Sequence, residues 1–231
     1  MTISHHNKQQ TTYIEFRRNC PYNGTAMDMQ TENIKRRAIL ALKLGGLAVA
    51  GYLWFEAARV NWDFPPAGEW SFLFRQYYSW IILPMHEGGH FLFMFFGDTL
   101  ASFGGSFWQV MFPLLLALVT GRKQPFLASI YLTLAGAHLI PVAPYIFDAN
   151  FRVLQLLGPK HGHDWYNLLY VQRNWIEYAA PLSQAAYFGG MLIGFSGILA
   201  GCILAVYGYF RPDAPSAQKR TNLPTEQRRL F

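Results

Sequence analysis

The sequence predicts an all-α, polytopic transmembrane helix bundle, and three observations carry that reading. Apolar residues make up 52% of the 231-residue chain and charged residues 14%, where an average soluble domain is about a quarter charged. Between residues 76 and 121 the acidic and basic side chains are Glu87 and Asp98 alone. Apolar runs also recur along the chain at lengths suited to a hydrocarbon core about 30 Å thick. The length allows one bundle of roughly four to six helices and no large soluble domain.

Residues 1–37 are polar, rich in Gln, Asn and Thr, and read as a loosely held tail that includes a solvated His5-His6 pair. No cleavable signal peptide is visible, so insertion falls to the first spanning helix. Residues 38–210 form the membrane-embedded bundle, and residues 211–231 a basic tail. The net charge of +6 lies mostly in these tails and reads as positive-inside anchoring on an anionic leaflet. Scattered basic residues without a recognition fold exclude a nucleic-acid partner. Cys20 and Cys202 stand in a polar tail and an apolar helix, which gives neither a disulfide framework nor a cysteine metal site.

The first span covers residues 38–60, preceded by Lys35-Arg36-Arg37 as an anchor, with Lys43 snorkelling to the interface. A loop with Pro65-Pro66 follows, and Trp62, Trp70 and Trp80 suit the membrane interface. The second apolar segment is residues 72–96. Residues 97–105 read as a glycine-containing break with the alternation of a short hairpin. Residues 107–120 are apolar and are the shortest run. Residues 125–147 resume apolar character but hold His138, Pro141 and Pro144, and two prolines at that spacing break a helix. Such a break at membrane depth is tolerated where it lines a cavity. The last span is residues 184–210, where Gly190/Gly194 and Gly197/Gly201 suit close helix packing. This gives about four to five full spans, and making 107–120 re-entrant would bring both basic tails to the cytoplasmic side.

The chemistry sits in the second segment. His86-Glu87-Gly88-Gly89-His90 is an H-E-x-x-H pattern, and residues four apart on a helix project from one face. That is a two-histidine grip on zinc, with the intervening glutamate placed to deprotonate water. A carboxylate and two imidazoles in an apolar span are costly if idle. The two adjacent glycines leave room beside the metal for a substrate backbone. A catalytic zinc takes three protein ligands, and the third is Asp164 or, alternatively, Asp148. His161, His163 and His138 are further candidates. His138 reads better as a hydrogen-bonded core histidine, and His163 or Asn167 as supporting donors.

An HExxH in an early membrane helix, followed by YIFDAN and LLGPKHGHDWYNLL, resembles the site-2 protease group of membrane zinc metallopeptidases. It is most similar to a small bacterial branch with an HDW-type acid motif. The resemblance covers residues 81–169, and the chain lacks the Leu-Asp-Gly that well-studied members carry. It implies Zn2+ on His86, His90 and Asp164 or Asp148, with Glu87 as general base. It also implies cleavage of a transmembrane or membrane-proximal peptide in a bacterial inner membrane. The alternatives are a non-catalytic metalloprotein scaffold and a metal or proton transporter.

Overall fold

A computed structural model describes residues 26–59, 70–154 and 162–210. His5, His6, Cys20, Trp62, His161 and both far tails lie outside the described residues. Among those residues all regular structure is helical. Four helices are long and apolar enough to cross a membrane, Met29–Ala58, Asp98–Gly121, Pro125–Asn150 and Ile176–Phe210, so the chain is a multi-pass membrane protein. Contacts divide it into two compact units between Ile39 and Leu40.

Helix α1 (Ala26–Ala58) begins in the first unit, where Lys35 pairs with Glu32 at 3.2 Å on the exposed surface. In the second unit its Leu47, Ala50 and Ala57 are buried while Leu42, Val49 and Phe55 are exposed, as a lipid-facing helix requires. Its end is fixed by Glu56, a buried carboxylate that accepts from Arg59 at 3.1 Å and from the Ser71 N–H at 3.0 Å. Ser71 in turn caps α2 (Phe72–Tyr77), its Oγ accepting from the Phe74 N–H.

The HEGGH segment is helical throughout but not uniform. After α2 comes a π-helical turn, Tyr78–Ile82, then α3 (Leu83–Phe93) and a 3-10 turn, Met94–Phe96. The Leu83 N–H bonds the Tyr78 carbonyl five residues back. Pro84 follows at the start of α3 and has no N–H to give to the turn before it, so the wider turn absorbs the missing bond. Gly97 ends the run with φ +94°, a conformation that suits glycine.

Two regions depart from what the sequence leads one to expect. Residues 97–105 form no hairpin: α4 (Asp98–Gly121) starts at Asp98. Nor are residues 107–120 a short element, because α4 has 24 residues, about 36 Å at 1.5 Å per residue. That exceeds the hydrocarbon core, so shortness gives no reason to treat it as re-entrant. Gly104 and Gly105, which look like breakers in sequence, are buried in helix contacts instead.

The proline break falls where expected. Helix α5 (Pro125–Leu139) stops before Pro141, and α6 (Val142–Phe147) resumes after it, continued by a 3-10 turn, Asp148–Asn150. The short α7 (Asp164–Tyr166) runs into a second π turn, Asn167–Val171. A 3-10 turn, Ile176–Tyr178, then leads into α8 (Ala179–Phe210). Helices α5 and α8 pack through their glycines. A Cβ on Gly136 would stand 2.5 Å from the Gly190 carbonyl oxygen, and one on Gly197 would stand 2.5 Å from Thr133. Below 3.0 Å something must move, so packing is what these glycines serve.

Candidate metal centre

His86 and His90 lie one turn apart on α3, with ring centroids 4.7 Å apart. Their Nε2 atoms each stand 3.1 Å from the same oxygen, Oδ2 of Asp164. Among the described residues these three form a group whose ligand atoms all lie within 4.8 Å of one another. The sequence left the third position to Asp164 or Asp148, and the chain folds so that Asp164 meets the histidines.

Asp148 is occupied elsewhere. Its carboxylate accepts from the Val153 N–H at 2.9 Å, from the Leu154 N–H at 3.1 Å and from His163 Nε2–H at 3.2 Å. His163 is wholly buried, and its Nδ1 accepts from the Tyr166 N–H, capping α7. Both of its ring nitrogens are thereby used for structure. His138 is likewise committed, to the Gln109 carbonyl and the Tyr77 hydroxyl. Asn167 opens the π turn, its N–H bonding the His163 carbonyl. Asp148, His163 and His138 therefore stay outside the cluster.

Several residues that sequence did not single out hold Asp164 in place. Tyr145 OH donates to Asp164 Oδ2 at 2.9 Å and accepts from the Asp164 N–H at 3.1 Å. Its ring stacks on His163, with centroids 4.5 Å apart. Next along the chain, Trp165 Nε1–H reaches Ser106 Oγ at 3.0 Å, tying α7 to α4.

The remaining ring nitrogens bear on whether a cation fits. His90 Nδ1–H donates to the Ala101 carbonyl at 2.7 Å, so a neutral His90 presents a lone pair at Nε2. That lone pair faces a carboxylate oxygen, which also accepts only. His86 Nδ1 meets Gln109 Oε1 at 2.8 Å, and its Nε2 faces the same carboxylate. Three electron-pair donors converging on one point suit a shared cation, and an imidazole whose far nitrogen is hydrogen-bonded is the common form of a metal ligand. Gly105 leaves the space: a Cβ there would stand 2.5 Å from His90 Nε2 and 2.7 Å from His86 Nε2. Two nitrogens and one oxygen are a donor set that zinc accepts, with a fourth position left for water or substrate.

Glu87 is exposed, about 100° around α3 from His86. The two glycines behind it differ. A Cβ on Gly89 would run into the Gly104 carbonyl, whereas Gly88 has nothing within 4 Å. Gly88 lies about 200° from His86 on the helix, facing away from the cluster. The room beside the ring nitrogens comes from Gly105 rather than from the glycines of HEGGH. Gln109 carried a readable signal, as the one side-chain amide in the apolar run 107–120. Compared with protein-family models, with curated proteins and with solved structures, the chain matches none.

Proposed function

We propose that the chain is a zinc-dependent endopeptidase acting within or beside the membrane. In this reading His86, His90 and Asp164 hold the ion and Glu87 is the general base. The observation that carries it is the convergence of two imidazoles and one carboxylate on a single point, with an exposed carboxylate on the very next residue of α3. Bound there, Zn2+ supplies a Lewis acid that polarises a carbonyl and acidifies water. Glu87 accepts the proton of the attacking water and returns it to the leaving amine nitrogen. The other residues orient: Tyr145 and Trp165 hold Asp164, and the Ala101 carbonyl holds His90. The resemblance to site-2 proteases supports the same reading, with a transmembrane or membrane-proximal peptide as substrate and a bacterial inner membrane as location.

A glutamate between the histidines favours catalysis over a purely structural site, which has no use for a base. The test is a pair of variants assayed for zinc content and for cleavage of a membrane-inserted peptide. Glu87→Gln keeps the ion and loses turnover; His86→Ala loses both. Turnover unchanged in Glu87→Gln removes Glu87 as the general base, and zinc held by a wild type that cleaves no peptide leaves a metal-holding scaffold.

A further inference from the structure

We infer that Gln109 is a positioning residue for the metal: its side-chain amide selects the His86 tautomer that offers Nε2 to the ion. This rests on reading His86, His90 and Asp164 as a metal site, and it adds the element that sets one arm of that site.

A side-chain amide has an accepting end and a donating end. One end of Gln109 lies 2.8 Å from the main-chain carbonyl of His138. A carbonyl accepts only, so that end is the NH2 group. The other end is then Oε1, which also accepts only, and it lies 2.8 Å from His86 Nδ1. His86 therefore carries a proton on Nδ1, and the neutral ring then has its lone pair on Nε2, facing Asp164 at 3.1 Å.

His138 is held in one tautomer as well. Its Nδ1 lies 2.7 Å from the Gln109 main-chain carbonyl and so bears the proton, and its Nε2 accepts from Tyr77 OH at 2.6 Å. Gln109 and His138 thus share two hydrogen bonds across α4 and α5, and the one given by the Gln109 NH2 fixes which way the amide points. The two metal-side histidines are oriented by different means: His90 by a main-chain carbonyl, His86 by a side chain that substitution can change. Gln109 is only 3% exposed. A buried amide costs free energy unless it is satisfied, and here both ends are used. A cross-link to α5 needs one end alone; the second is spent on the imidazole.

The experiment uses the full chain in detergent, with zinc itself as probe, and compares wild type, Gln109→Leu and Gln109→Glu. Zinc affinity is read by competition with a chromophoric chelator, and the His86 tautomer by 15N resonances of the zinc-free protein. Loss of an outer-shell partner costs about ten- to a hundredfold in metal affinity. Gln109→Leu is expected to lose that much at unchanged helical content, with His86 moving from the Nδ1–H form towards Nε2–H. Gln109→Glu keeps an acceptor towards Nδ1 and is expected to bind within about tenfold of wild type. Zinc bound by wild type and Gln109→Leu alike, with the tautomer unmoved, overturns the role of Gln109 and leaves the metal site standing. No zinc in wild type overturns the site itself, and this inference with it. Should Gln109→Leu lose its helicity, the 15N resonances of zinc-free wild type decide: an Nδ1–H form of His86 supports the assignment, and an Nε2–H form overturns it.

Discussion

Two aspartates sixteen residues apart each meet histidine, and their surroundings give them different work. Asp148 is 1% exposed, and its carboxylate takes two main-chain N–H groups as well as a ring N–H from His163, itself wholly buried. Its carboxylate meets hydrogen-bond donors at each of these three partners, so the pair is satisfied as it stands and braces the chain after α6. Asp164 instead faces two ring nitrogens whose far sides are already engaged, across a space kept clear by Gly105. With both rings neutral, its three groups turn lone pairs towards one point, an arrangement that suits a shared cation. Residue types are shared; the direction of the donors separates a brace from a candidate ligand set.

The sharpest way to break this contrast is to remove each carboxylate in turn. Asp164→Ala is expected to take the protein from one zinc per chain to none detectable, as measured by metal analysis after gel filtration. Asp148→Ala is expected to keep the zinc and lose stability, because it strands buried N–H donors at about 1–3 kcal/mol each; thermal unfolding in detergent reads that loss. The reverse pattern would exchange the two roles. A smaller effect comes from Gly105→Ala, whose Cβ pushes on both Nε2 atoms and is expected to weaken zinc about tenfold or more in the chelator competition. Trp165→Phe gives up the bond to Ser106 and is expected to cost about 1 kcal/mol of stability with zinc stoichiometry unchanged, by the same unfolding measurement. Smallest is Gly88→Ala, expected to leave zinc alone and stabilise the helix by up to about 1 kcal/mol. Zinc loss in Gly88→Ala would put that glycine back beside the ion.

The helical bundle and the helix break at Pro141 were legible in the sequence, because apolar run length and proline chemistry act locally. The pairing of His86 with His90 was legible for the same reason, since four residues of helix fix it. The choice between Asp164 and Asp148 was not. It depends on contacts made far along the chain, from Tyr145 to Asp164 and from Trp165 to Ser106, which no spacing encodes. The glycines misled in both directions. Gly104 and Gly105 look like breakers but sit inside α4, where tertiary contact outweighs their weak helix propensity. Gly88 and Gly89 look equivalent, yet a turn of about 100° puts one against α4 and the other on an open face.

X-ray absorption at the zinc edge tests most directly whether His86, His90 and Asp164 hold one divalent ion. Protein purified with zinc should show one ion per chain with two imidazole nitrogens at about 2.0–2.1 Å and carboxylate oxygen at about 2.0–2.2 Å. The imidazole scattering should vanish in His86→Ala. A chain that holds no zinc, or holds it with its imidazole scattering unchanged in His86→Ala, contradicts the account.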